Sequence, residues 1–271
     1  MAITNHMEFH EILYEVNDRV ATITLNRPER MNGWTPVMEA ELRTAIDAAS
    51  NNDGVRSIVI TGAGRAFCAG ADMNRLSSAS QGSAEAAARP ASGETDLDQR
   101  YSYLLAVPKP LIAGINGSIA GVAVCVALYC DIRYMAAGAK LTVPYSRRGL
   151  VAEHGSAWML PRLIGPMHAA DLLLSGRVVE TSEAASMGLV KMLPAEDFRQ
   201  AVHARASEFA NLCSPRSIRI IKQQLLLSRQ QSLTEASRLA DDELDKCRGT
   251  ADFKEGVAHF IEKRVPNFEG K

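Results

Sequence analysis

KPLIAGINGSIAGVAVCVALYCD, residues 109–131, decides how the rest of the chain is read. Lys109-Pro110 leads into an apolar run, Leu111, Ile112 and Ala113, that reads as a buried strand. Small residues then recur at Gly114, Gly117, Ala120, Gly121 and Ala123. An unbroken apolar segment from Val122 to Tyr129 follows, carries Cys125 and ends at Cys130-Asp131. Small residues between a strand and an apolar helix let the backbone pass close to a neighbour and leave free N–H groups at the helix start. Such groups bind a phosphate, or stabilise negative charge developing on a carbonyl oxygen. The same composition also serves tight strand–helix packing without chemistry, so one such turn settles nothing. A second small-residue loop, CAGAD at 68–72, follows another strand candidate, SIVITG at 57–62.

Upstream, residues 8–26 alternate as strands do, with a turn at Asn17-Asp18, which predicts a hairpin. Asn26-Arg27-Pro28 ends the second strand, and Thr35-Pro36 supplies the N-cap and first residue of a helix over about 37–50. Residues 77–98 are rich in Ser, Ala, Gly and acidic side chains and bury little, so they are expected to form a mobile surface segment. A helix over about 97–106 precedes the opening stretch.

Downstream, DIRYMAA and KLTVPY read as two short strands. A loop with a helical turn follows in VAEHGSAWMLPRLIG, and HAADLLLSG is a helix closed by Gly176. VVETSEAASMGLV reads as a strand and a short helix capped at Thr181 or Ser182. Past Pro194 only helical patterns remain, over about 196–212, 215–229, 232–247 and 251–263. The expected organisation is an α/β body over 1–195 and a helical region over 196–271.

The formal net charge of −1 argues against a basic nucleic-acid-binding surface, and no apolar run is long enough for a membrane span. The five cysteines are scattered, which suits buried thiols in a reducing compartment better than a disulfide framework. The N-terminal residues hold no secretory signal, so a cytoplasmic protein is expected. GAGRAF has Phe67 where a dinucleotide fingerprint needs its last glycine, and there is no GxxxxGK phosphate loop. Ser156 stands outside any GxSxG elbow, and the six histidines lack metal-ligand spacing, so no metal is expected.

Six stretches, taken together, resemble the enoyl-CoA hydratase/isomerase (crotonase) family from about Phe9 to Phe268. They are NRPER at 26–30, ITGAGRAFCAGADM at 60–73, KPLIAGINGSIAG at 109–121, CDIRY at 130–134, LLLSGRVV at 172–179 and FKEGVAHFIEKRVPNF at 253–268. The resemblance implies an α/β fold, a crotonase-like spiral of ββα units with a helical C-terminal oligomerisation region. It also implies an acyl-CoA thioester substrate, with coenzyme A entering as part of that substrate and no permanently bound cofactor, and a homotrimer or hexamer.

By the same resemblance the thioester oxygen would sit between the backbone N–H groups of Ala71 and Val122. Contacts to the CoA thioester would come from Ala66, Cys68, Ala69, Gly70, Ala71, Asp72 and Met73, from Gly121 and Val122, and from Phe260 and Lys263 of the tail. Val122 replaces the Gly or Ala usual in the family, and its β-branch narrows the pocket while keeping the N–H. The two glutamates of a family hydratase are replaced by Cys125 and Tyr145, so the usual base for water and acid for carbon are absent. Glu153, in VAEHGSAW, occupies a third location at which some relatives carry a functional carboxylate, among apolar or small neighbours that would raise its pKa. Its alternative role is a plain surface or capping residue. His154 could share its proton, Tyr145 fits a wall or hydrogen-bond donor, and Cys125 fits a small buried hydrophobe.

The favoured expectation is an enzyme that moves a proton on an enolate-like oxyanion, isomerase-like chemistry ahead of ordinary hydration. Two alternatives stay open: a thioester hydrolase or atypical hydratase using Glu153, and a CoA-binding protein with little catalysis.

Overall fold

The computed structural model describes residues 8–72 and 95–271. Met73 and positions 77–94 of the expected mobile segment lie outside the described residues. Two strands, β1 (Ile12–Asn17) and β2 (Val20–Leu25), form the expected hairpin. The turn residues are Asp18 and Arg19, both at positive φ (48° and 60°), one position later than the sequence suggested. Two left-handed central residues match the right-handed twist of the strands they join.

Thr35 caps α1 (Pro36–Asn51) by accepting the Met38 N–H, with Pro36 at the first turn where its missing donor costs nothing. Met38, Leu42, Ala45, Ile46 and Ala49 form its buried stripe over the hairpin. Then come β3 (Ser57–Gly62), β4 (Ala66–Cys68), β5 (Leu111–Ile115), β6 (Ser118–Ala120), α2 (Val122–Leu128), β7 (Ile132–Ala136) and β8 (Lys140–Thr142). The remainder is α3 (Ser156–Ser175), β9 (Val178–Glu180), α4 (Thr181–Ser186), β10 (Lys191–Leu193), α5 (Phe198–Leu212), α6 (Pro215–Leu227), α7 (Leu233–Arg248) and α8 (Ala251–Glu262).

The strands form two sheets, a six-stranded one in the order β1-β2-β3-β5-β7-β10 and a four-stranded one in the order β4-β6-β8-β9. Each pair β3–β4, β5–β6 and β7–β8 gives its first strand to the larger sheet and its second to the smaller, in the same order. The chain thus winds as a coil of repeated turns. Parallel pairing of β2, β3, β5, β7 and β10 buries both faces, which is why SIVITG and LIAGI are buried at every position. α5 lays Phe198, Val202, Ala206 and Ala210 on this sheet. Gly117 lies where the coil passes itself, since a Cβ there would collide with the Arg65 carbonyl.

Several local expectations are corrected. The helix over 97–106 is only a 3-10 turn, Ser102–Ala106, because side chains of Asp98, Thr95 and Ser102 take the Thr95, Leu97 and Gln99 N–H groups in turns before it. The N-cap of α4 is Glu180; the Thr181 hydroxyl instead donates to the Ala136 (2.6 Å) and Ala139 (3.0 Å) carbonyls. α3 is broken at Gly165 (φ 77°, ψ 162°), which divides it into the expected helical turn and the helix ending at Gly176. The strands β4, β6 and β10 fall in stretches read as loop or left unassigned. Among the described residues no helix is long and apolar enough to cross a membrane.

Candidate active site

The two small-residue loops meet. Cys68, the last residue of β4, pairs with Ile119 of β6, and Ala71 stands third after Cys68 as Val122 stands third after Ile119. A Cβ on Gly70 would lie 3.2 Å from the Ala120 carbonyl oxygen, so glycine there lets the loops touch. The first loop is held by main-chain bonds to Trp34: its N–H reaches Gly70 O (2.8 Å) and its carbonyl accepts from Asp72 N (3.2 Å). Buried Asn32 ties down the approach, its amide donating to the Ala63, Ala66 and Phe67 carbonyls at 2.9, 2.9 and 3.1 Å. In the second loop Gly121 is the N-cap of α2 and its N–H binds Thr142 O (3.1 Å), leaving Val122 N–H in the first turn. Among the described residues neither Ala71 N–H nor Val122 N–H has a backbone acceptor.

Cys125 lies one turn into α2, at the base of the second loop. Its thiol is 3.0 Å from the Tyr145 hydroxyl and 3.5 Å from the Glu153 carbonyl, and the Tyr145 hydroxyl reaches Gly121 O at 3.4 Å. Burial pushes the Cys125 thiol up to about 11 and raises the Tyr145 phenol well above its ordinary value. Both stay protonated at neutral pH. Ser156 Oγ is buried beside them, and its hydroxyl works against both shifts. Cys68 is likewise inert, its thiol pushed up to about 12 by burial.

Glu153 is the carboxylate at this end of the molecule. It precedes α3 and is half-buried, with a side chain 34% exposed. Burial raises its pKa, and the charge of Arg100 opposes that shift. His154 Nε2 lies 3.9 Å from Glu153 Oε2, and the His154 ring meets Tyr101 edge-on at 5.0 Å. The loop is pinned from behind: the Tyr129 hydroxyl donates to the His154 carbonyl at 2.9 Å. Left-handed His154 (φ 49°) and Gly155 (φ 75°) make the tight turn, and a Cβ on Gly155 would collide with the Tyr129 hydroxyl.

A polar network absent from the sequence reading stands behind this loop. Glu39 of α1 accepts from Arg100 Nε (2.6 Å) and Nη2, from the Tyr101 hydroxyl (2.9 Å) and from Trp34 Nε1 (3.1 Å). Burial alone would raise the Glu39 carboxyl, but these hydrogen bonds and the Arg100 charge outweigh it and hold the pKa down. Nothing in the spacing of residues 39, 100 and 101 announces the contact. Of the other expected site residues, Ala66 and Cys68 are buried in β4, while Ala69, Gly70 and Asp72 line the first loop. Phe260 projects from α8 at 80% exposure, and Lys263 is that helix's left-handed C-cap. Within one chain neither bonds to the two loops among the described residues. Among the described residues no cluster of His, Cys, Asp and Glu could hold a metal ion.

Two backbone loops that touch, on a coil of repeated strand–strand turns, are the crotonase architecture. The chain belongs to the enoyl-CoA hydratase/isomerase family, whose model matches residues 15–271. It is 34% identical over 270 residues to a probable enoyl-CoA hydratase of Rhodobacter capsulatus, covering 98% of this chain and 100% of that protein. It is 33% identical over 266 residues to the 1,2-epoxyphenylacetyl-CoA isomerase of Escherichia coli, again covering 98% and 100%. The enoyl-CoA hydratase structure from Polaromonas sp. JS666 superposes with a TM-score of 0.85 at 29% identity, covering 95% of this chain and 99% of that one.

Proposed function

We propose that this family member shifts a double bond in an acyl-CoA thioester by proton transfer, with Glu153 as base and then acid. The Ala71 and Val122 amides receive the thioester oxygen as it gains enolate character, with CoA contacted along the first loop and by Phe260 and Lys263. The observation that carries this reading is the closed Cys125–Tyr145 pair: both positions hold groups protonated at neutral pH, whereas Glu153, on the loop that pair touches, is a carboxylate whose pKa burial raises and which has no arginine or lysine within ion-pair distance among the described residues. One carboxylate suffices to take a proton from one carbon and return it to another, whereas hydration needs a base for water and an acid for carbon.

The test is solvent-deuterium exchange at the α- and γ-carbons of 2-enoyl and 3-enoyl thioesters. Wild type should exchange and interconvert them, and Glu153→Gln should lower both rates by about 10²–10⁴-fold while thioester binding stays within a few-fold. Full turnover in Glu153→Gln overturns the assignment, and a trapped acyl ester on Glu153 would indicate hydrolase chemistry instead.

The assembly we propose is a homotrimer, or a hexamer of two trimers, in the cytoplasm. Leu225, Leu233, Phe253, Val257, Phe260 and Ile261 are exposed on the last three helices, more apolar surface than a free helical face normally leaves in water. Sedimentation at micromolar concentration should give a multiple of three times 29.4 kDa, and a 29.4 kDa species alone rules the assembly out.

A further inference from the structure

A second feature lies on the far side of Tyr129 and Gly155. There a cavity of about 530 Å³ opens between Leu105, Tyr129, Trp158, Leu226 and Leu227, with Arg229 at its wall. Its volume is in the range of small-molecule sites. Most of the lining is apolar, yet two guanidinium groups share its indole. Arg162 Cζ stands 3.9 Å from the Trp158 ring centroid and Arg229 Cζ 5.4 Å from it.

Neither arginine is paired with a carboxylate among the described residues. Arg162 donates to the Trp158 carbonyl (2.9 Å), and the acceptor recorded for Arg229 is the weak thioether of Met159 at 3.8 Å. The acid on the rim, Asp96, is engaged elsewhere by Gln230 Nε2 at 2.6 Å. Two like charges on one ring repel each other, and burial together with Arg162 depresses the Arg229 pKa. An anion entering the cavity would relieve that repulsion and meet the fixed donor fork of an arginine, which suits a carboxylate. A neutral hydrocarbon would leave the arginine as it is.

We propose that this cavity binds a carboxylate carried on an apolar body, with Arg229 receiving the carboxylate beside Trp158. The carboxylate has two possible sources. One is the far end of the thioester's own acyl group, since Gly155 of the cavity is two residues from Glu153. The other is a free fatty-acid-like molecule. The first source rests on the acyl-CoA reading above, and the second does not.

The experiment is equilibrium binding followed by tryptophan fluorescence, with Trp158→Phe to subtract the buried Trp34. Octanoate is compared with octan-1-ol, and 2-hexenedioyl-CoA with 2-hexenoyl-CoA, on wild type, Arg229→Met and Arg229→Lys. Octanoate should bind at least about tenfold more tightly than octan-1-ol, Arg229→Met should erase the difference, and Arg229→Lys should keep part of it. If the acyl group supplies the carboxylate, the dicarboxyl thioester binds about tenfold more tightly than its methyl-ended counterpart, and Arg229→Met removes that gain. If only the free acid is bound, the two thioesters bind alike while the octanoate preference stands. The proposal is overturned if neither comparison shows a preference for the carboxylate, or if Arg229→Met leaves that preference intact. These readouts need no turnover, so failure of the Glu153 chemistry would not register in them, nor would their failure touch that chemistry.

Discussion

The Cys125 thiol and the Tyr145 hydroxyl satisfy each other at 3.0 Å, 20 positions apart in the chain, at the two positions where the family resemblance leads one to expect carboxylates. A buried carboxylate pair repels itself; this neutral pair does not. The tyrosine either donates to the Gly121 carbonyl or lets the cysteine donate to the Glu153 carbonyl, so it joins the second loop to the one that carries Glu153.

Cys125→Ala and Tyr145→Phe should therefore act on stability more than on rate. Each removes one partner of a buried hydrogen bond, costing about 1–3 kcal/mol. Turnover should stay within about tenfold of wild type, against the 10²–10⁴-fold loss expected for Glu153→Gln. Thermal denaturation beside steady-state kinetics checks both halves. If Tyr145→Phe abolishes turnover, the proton passes through Tyr145.

Arg100→Met should move the acid limb of the pH–rate profile upward. Burial raises the Glu153 pKa and the Arg100 charge lowers it, so deleting that charge raises it further. A base works only when deprotonated, so activity would then be lost at a higher pH than in wild type. Glu39→Gln, which frees Arg100 from its carboxylate, should move the same limb through Arg100's position alone. An unchanged limb in both variants means that another group sets it.

Val122→Pro isolates the second amide. Proline is favoured at the first residue of a helix, and the glycine before it carries no Cβ to clash, so α2 should persist while one N–H disappears. Loss of a single oxyanion donor typically lowers turnover by about 10²–10³-fold. Circular dichroism and thioester binding close to wild type, with turnover down by that factor, is the expected result. Unchanged turnover would mean that this amide does not meet the substrate oxygen.

The long elements were readable because each carries its own punctuation. Thr35-Pro36 opens α1, and Ser232 with Glu235 forms the capping box that starts α7. The strands Ala66–Cys68, Ser118–Ala120 and Lys191–Leu193 were not, since three residues hold too little of a period to stand out. Of the smaller sheet only β8 and β9 lay in stretches that read as strands, and their pairing with β4 and β6 is visible only in three dimensions. At the site, the adjacency of Glu153 and His154 is plain in the sequence. The grip of Glu39 on Arg100 and Tyr101, and of Tyr129 on the His154 carbonyl, spans loops whose closure no local pattern encodes. At Gly155 only the position of the Tyr129 hydroxyl explains why no side chain fits.

The Ala71 and Val122 donors belong to the main chain, on loops that follow the paired strands β4 and β6. Every amino acid except proline supplies the same N–H, so almost any single-codon change at either position leaves the donor in place. On the chemistry proposed above, the acid and base groups are by contrast ordinary side chains, which one substitution can delete or supply from another loop. A lineage built on this coil can thus exchange its proton chemistry by point mutation while the geometry presented to a carbonyl oxygen drifts hardly at all.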